Sequence, residues 1–396
     1  MSRHFTTSLN RFKRRVLEVA LGGLMLEGAR CPGQIDPMVR NLVEVGYDQP
    51  LTGHGPAAAY AYYYYSQPDI FSKDVGLRAA IAPAYVDSEI GLKHLLSPTT
   101  DVGLGLAGGA FGDNVYDVRQ GRYLETESFY GSGGGAAISL YQLLDPGVKI
   151  PLNLVIRGGF HYSSYFDTAQ TASNFKLPRD QLNAFTRVGL RFAGKQPYLY
   201  PKLGLEVSAW FERQRHFNDD AYGFDDDRSI TPATNLYWVY AGLDYTFERS
   251  GDRFALAVTA GGSTDADQLN AWRMGGMLPL TSEFPLMVPG YYYEELTAIR
   301  FAHFYGSYSI PIDRERRWSL RPEAATARLD YLPGFEQRSD WQTGVGCGLS
   351  YSPKGSNNSI GLGYGYGLNA IRHGKEGAQS LSVLFQYDLG RRKVSQ

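Results

Sequence analysis

Cysteine is almost missing from this chain. The two in 396 residues, Cys31 and Cys347, lie far apart with no metal-type spacing around them. That excludes a disulfide framework and a zinc site. Long apolar runs are missing too: after residue 30 none reaches the roughly 20 residues a spanning helix needs, so this is not a helical membrane protein. Nor is there an excess of one charge. The 39 Lys and Arg nearly balance the 40 Asp and Glu, and no global field argues for nucleic acid as a partner. A Gly-x-Ser-x-Gly nucleophile turn is absent, since "GSGGGA" at 131–136 lacks the central serine and the strand-to-helix context. His161 and His303 are isolated on strands, with no Ser or Cys tied to them by spacing. The acid-rich stretch 218–229, "NDDAYGFDDDRS", lacks the Asp-x-Asp-x-Asp-Gly register of a calcium loop and reads as a solvated loop. No catalytic residue, metal or cofactor is expected, and the chain is not read as an enzyme.

What the chain has in quantity is glycine and aromatics: 46 Gly, 29 Tyr and 20 Phe. Both favour short strands with tight turns over helices. From residue 55 onward, period two dominates. In "SIGLGYGYGLNA", Ile360, Leu362, Tyr364, Tyr366 and Leu368 alternate with Gly361, Gly363, Gly365 and Gly367, which makes one face apolar and leaves the other without side chains. Val345, Cys347, Leu349 and Tyr351 alternate with Gly344, Gly346, Gly348 and Ser350 in the same way. Elsewhere the face opposite the apolar one carries full charges: Arg187 and Arg191 oppose Val188, Leu190 and Phe192.

Strands are expected near 55–66, 75–88, 100–112, 130–143, 149–163, 183–194, 199–212, 234–247, 252–263, 296–311, 317–330, 341–352, 357–370 and 377–389. Short connections alternate with long ones, as in a membrane meander with tight turns at one end and loops at the other. The fold expected is all-β: a single antiparallel transmembrane β-barrel of about 14 strands, or 16 if residues 36–50 or 114–128 hide a pair. Tyr60 to Tyr65 and Phe160 to Phe166 fit an interfacial aromatic girdle. By segment, 1–33 reads as a targeting leader, with Arg3, Arg11, Lys13, Arg14 and Arg15 ahead of a short apolar stretch. Residues 34–54 read as a short periplasmic extension, 55–390 as the barrel and 391–396 as a tail.

The longest loop, 264–295, precedes the last five strands and contains "RMGGM" and then "LMVPGYYYEEL". Pro289 fixes φ and Gly290 admits a positive φ, so the pair reads as a tight reversal. Tyr291 to Tyr293 either pack on an inner wall, each hydroxyl finding a polar partner, or belong to the outer girdle. "FALAVTAGGS", "RMGGM", the Pro-Gly-Tyr turn, the "RFAHFYGSYSIPI" strand with four more strands after it, and the closing "GYGYGLNAIRHGKEGAQSLSVLFQYDLG" together resemble the BamA-type outer-membrane barrel superfamily. That superfamily, also described as the bacterial surface antigen type, includes outer-membrane insertases, two-partner secretion transporters and the barrels of patatin-like phospholipases. The resemblance is closest over residues 250 to 390.

The resemblance implies that the loop folds into the lumen. In the family a loop arginine ahead of Gly-Tyr or Gly-Phe pairs with an acid on the inner wall. Here Pro289 holds that position, and Arg273 is the candidate substitute. The expected lumen-loop residues are therefore Arg273, Gly275, Gly276, Pro289, Gly290 and Tyr291. Arg157, Arg187, Arg191, Lys202, Glu206, Asp244, Arg321 and Glu323 form the expected lumen wall. The family's receiving domains and the patatin-type domain have no counterpart among the expected segments, so a stand-alone barrel is expected. The function implied is that of an outer-membrane assembly or protein-translocation barrel, with lipid around it and a polypeptide client or periplasmic protein as partner. The alternative is a passive or plugged pore.

Overall fold

Residues 39–145, 151–193, 203–279 and 283–390 are described by a computed structural model. The leader expected at 1–33, the tail at 391–396 and Lys202 lie outside them. In chain order the strands are β1 (Arg40–Pro50), β2 (Ala58–Gln67), β3 (Val75–Ile81), β4 (Tyr85–Ser97), β5 (Thr100–Gly109), β6 (Val118–Arg119), β7 (Arg122–Tyr123), β8 (Phe129–Leu143), β9 (Leu152–Asp167) and β10 (Gln181–Ala193). They continue as β11 (Leu203–His216), β12 (Ala233–Thr246), β13 (Arg253–Thr264), β14 (Trp272–Met274), β15 (Leu296–Pro311), β16 (Trp318–Tyr331), β17 (Trp341–Tyr351), β18 (Asn358–Arg372) and β19 (Lys375–Asp388). Sixteen of these pair antiparallel, each with its neighbour, into one closed barrel. β14 adds a short rung on β15, and β6 with β7 makes a separate hairpin.

The wall holds sixteen strands, the larger of the two numbers expected. β1 lies in the stretch expected as an extension; its outward side chains are few, and Glu44 and Asp48 on the other face blur the pattern. The span read as one strand at 75–88 is two. Ala82 and Tyr85 close a tight turn across Pro83, which has no N–H for the ladder, and β4 runs on to Ser97. The stretch 114–128 adds only the β6–β7 hairpin, outside the wall.

The molecule is built inside out. Ile90, Leu104, Leu106, Ile138, Phe160, Leu190, Val207, Phe211, Val239, Leu362 and Leu381 are exposed on the outer face, while Glu44, Asp48, Arg191, Glu206, Asp244 and Glu323 are buried on the inner one. A charge on the lipid face at mid-bilayer costs roughly 2–4 kcal/mol, so the charges point inward and the apolar residues meet lipid. Part of the expected girdle turns the other way: Tyr62 and Tyr64 are buried inside, and the Tyr60 hydroxyl donates to Glu44 Oε1 at 2.7 Å. Phe160, Tyr162 and Phe166 do face outward.

Closure is complete. β1 pairs with β19 in continuous register from Leu42 opposite Asp388 to Pro50 opposite Ser380. With no free edge, the backbone ladder offers detergent no place to start. The purified protein should therefore run as a compact, faster band in SDS until heated. Identical mobility before and after boiling would refute the closed barrel.

The inward loop and the charged wall as candidate functional site

The loop between β13 and β15 has three parts. Its first part, 265–271, joins other loops at the long-loop rim in a dome. Val115, Phe129, Phe175, Tyr222 and Ile230 form an apolar cluster there. Above it Arg228 Nη1 meets Asp117 Oδ2 at 2.9 Å, and Arg228 also pairs with Glu127. Gln268 Nε2 donates to Asp117 Oδ2 at 3.0 Å, and the buried Tyr222 hydroxyl donates to Gln268 Oε1. Burial of Asp267 raises its carboxyl above the usual carboxylate range, opposed by the N–H groups of Thr231 and Leu269. Arg273 belongs to the foot of this dome: it donates to the Gln268 carbonyl at 2.8 Å and lies 3.5 Å from Glu294.

The second part is a narrow hairpin that crosses the lumen. Gly275 N donates to Leu286 O and Val288 N to Gly276 O, both glycines having positive φ. On one side, Met277 N donates to Asp48 Oδ2 of β1 at 2.6 Å. On the other, Glu283 reaches Arg191 (3.1 Å) and Arg187 (3.5 Å) of β10, and Phe284 packs on Trp210, Trp238 and Tyr240 of β11 and β12. β1 is the first wall strand and β11 the ninth, half a turn apart in a ring of sixteen. A single loop that touches opposite walls lies inside the barrel.

The third part is the Val288-Pro289-Gly290-Tyr291 reversal, with Gly290 at φ +84°. It rests on the face of β17 and β18 that has no side chains. A Cβ added at Gly344 would strike Pro289, one at Gly290 would strike the Gly367 backbone, and one at Gly365 would meet Met277. The glycine alternation therefore has a packing reason: backbone lies on backbone. Gly290 N donates to Ser380 Oγ at 3.2 Å, and the Tyr291 hydroxyl donates to Gln342 Oε1 at 2.7 Å. Tyr291 and Tyr292 are each 1% exposed, so they are not girdle residues. The Tyr293 ring meets Tyr116 edge-on. His303 Nε2 donates to the Met287 carbonyl at 2.8 Å, a contact its isolation in the sequence did not reveal.

The charged anchor of the loop is not Arg273. Glu295, at the end of the loop, receives both Nη atoms of Arg372 from β18, at 2.8 and 2.7 Å, and accepts the Tyr292 N–H at 2.8 Å. The Arg372 guanidinium lies 3.5 Å over the Tyr292 ring, and the Tyr292 hydroxyl donates to the Thr52 carbonyl. Relative to the expected arrangement the polarity is reversed, with the acid on the loop and the cation on the wall. The signal was the "EEL" after the three tyrosines, and the missing partner stood 77 residues later in "NAIRHG".

The expected wall residues pair locally. Arg187 Nε bonds Glu212 Oε2 at 2.6 Å and Arg191 bonds Glu206 at 2.7 Å. Arg157 lies 3.4 Å from Glu89, Arg253 3.5 Å from Asp244, and Arg321 3.4 Å from Glu323, which also accepts the Tyr305 hydroxyl at 2.7 Å. Arg187, Arg191 and Glu206 gather around the loop tip, whereas Arg157, Asp244, Arg321 and Glu323 do not. Among the described residues, no three His, Cys, Asp or Glu side chains gather as a metal site.

No family model matches the chain, and neither does any curated protein. Solved structures do. CdiB from Acinetobacter baumannii superposes with TM-score 0.55 at 11% identity, over 88% of this chain and 60% of that one. BamA from Haemophilus ducreyi lacking POTRA domains 1–3 gives 0.54 at 9%, over 88% and 71%. CdiB from Escherichia coli gives 0.53 at 11%, over 89% and 63%. The chain thus spans about three fifths of the CdiB chains. It is a sixteen-strand antiparallel barrel with the fold seen in these CdiB and BamA structures. In this chain the long inward loop lies between the eleventh and twelfth wall strands.

Proposed function

We propose that the chain is an outer-membrane barrel that assembles or exports a polypeptide client together with a separate periplasmic or surface protein. The observation that carries this reading is the loop. It crosses the lumen, touches both sides of the β1–β19 closure through Asp48 and Ser380, and is held at its base by a buried ion pair. A strap fixed to so many strands narrows the lumen, which counts against a wide open conducting pore. The fold shared with CdiB and BamA supports the same class by analogy. The unbroken register of β1 with β19 favours a second reading, a plugged barrel without a protein client. Depletion separates the two. Under the first, one or a few outer-membrane or surface polypeptides fall in abundance while uptake of small solutes is unchanged. Altered uptake with an unchanged outer-membrane proteome would remove the first reading.

A further inference from the structure

The loop tip occupies a formed receptor on the lumen wall. Phe284 sits edge-on to three rings at once, 5.9 Å from Trp210, 5.7 Å from Trp238 and 5.2 Å from Tyr240 between centroids. Trp210 and Trp238 stack at 6.0 Å, Trp272 closes on Trp238 at 5.5 Å, and the Arg187 guanidinium lies 5.2 Å over the Trp238 ring. Beside this box Glu283 reaches Arg191 and Arg187. The loop presents to this wall an acid followed by an aromatic.

Two features indicate that the tip is a replaceable occupant. First, each arginine already has a wall carboxylate, Glu212 for Arg187 and Glu206 for Arg191. Glu283 is a third acid on two cations, and its side chain is 42% exposed, so solvent screens its pairing. Second, Trp210 and Trp238 are 6% and 5% exposed, yet among the described residues neither indole N–H has a hydrogen-bond partner. Buried donors of this kind are ordinarily bonded. A phenyl ring fills the box without satisfying them, whereas a segment laid along it with free carbonyl groups would.

We infer that the inner wall of β10–β12 is a binding site for an extended polypeptide segment carrying an acidic residue next to an aromatic one, and that Glu283-Phe284 holds it as an internal pseudo-ligand. This deepens the proposed function and rests on it. A client of that chemistry enters by displacing the tip, which frees the hairpin from one wall while the Gly290 turn stays seated on the other.

The test uses the whole barrel in detergent and a fluorescent peptide with the loop's own sequence, Ser-Glu-Phe-Pro-Leu, blocked at both ends. The parent protein should bind it weakly because the tip competes. Phe284→Ala, with its heat-modifiable band intact, should bind it about tenfold more tightly, the occupied fraction being removed. Adding Trp238→Ala should abolish that gain, and peptides with Lys for Glu or Ala for Phe should not bind. Failure of folded Phe284→Ala to bind the peptide, equal binding of the altered peptides, or preference for a neutral oligosaccharide would overturn the inference. Depletion and peptide binding are read separately. Binding without a depletion phenotype keeps the site and discards the assembly role; a depletion phenotype without binding does the reverse.

Discussion

Deleting residues 282–293 should raise single-channel conductance severalfold in planar bilayers, without preventing insertion. That is the outcome expected from a strap that crosses the lumen and lies on the β17–β18 wall, because wide barrels otherwise leave an aqueous channel. The wall ladder does not pass through these residues, so closure survives their loss. The dome of Tyr222, Phe129 and Phe175 stays behind, and openings should therefore flicker rather than hold. Gly290→Val should reproduce part of the effect. A β-branched residue at φ +84° is strained by about 1–3 kcal/mol, and its Cβ would meet the Gly367 backbone. Tyr292→Phe keeps the ring under Arg372 and loses one hydroxyl bond to Thr52, so its conductance should stay near the parent's. Conductance unchanged by the deletion would put the closure of the pore in the dome alone.

The second large effect belongs to Arg372 and Glu295, 5% and 1% exposed. Removing one member of a buried pair strands the other charge and costs about 3–5 kcal/mol, whereas replacing both with apolar residues of similar volume is often neutral. Arg372→Met and Glu295→Leu should each lower the temperature at which the compact gel band converts to the unfolded one. Combined, they should restore most of the loss. If the double variant is as unstable as the worse single one, the pair is needed for more than charge balance. The bidentate bond and the cation over Tyr292 would then be what fixes the loop.

The barrel itself was legible because period-two alternation survives wherever one face meets lipid. It failed at β1, where polar inward residues and a short outward run left little contrast, and at Pro83, where a three-residue turn hid inside an apolar stretch. The loop was legible as a reversal, since Pro289 and Gly290 specify the turn locally. Its partners were not. Contacts such as Glu295 with Arg372, Met277 with Asp48 and Phe284 with Trp210 join residues that no local pattern relates. The bare faces of β17 and β18 were plain in the sequence, but what lies on them was not.

The loop's attachment to β1 and β19 sets an order of events during folding. Met277 of the loop meets Asp48 across 229 residues of chain, and the β1–β19 closure beside it brings Gln379 N to Thr52 Oγ1 across 327. Contacts of such sequence separation form late, because the entropy of closing the intervening chain has to be met first. The hairpin has no complete seat until the last strand has found the first. Its burial is thus a record that the ring has closed. In a refolding time course, protection of residues 283–293 from protease should appear together with the heat-resistant band and never before it.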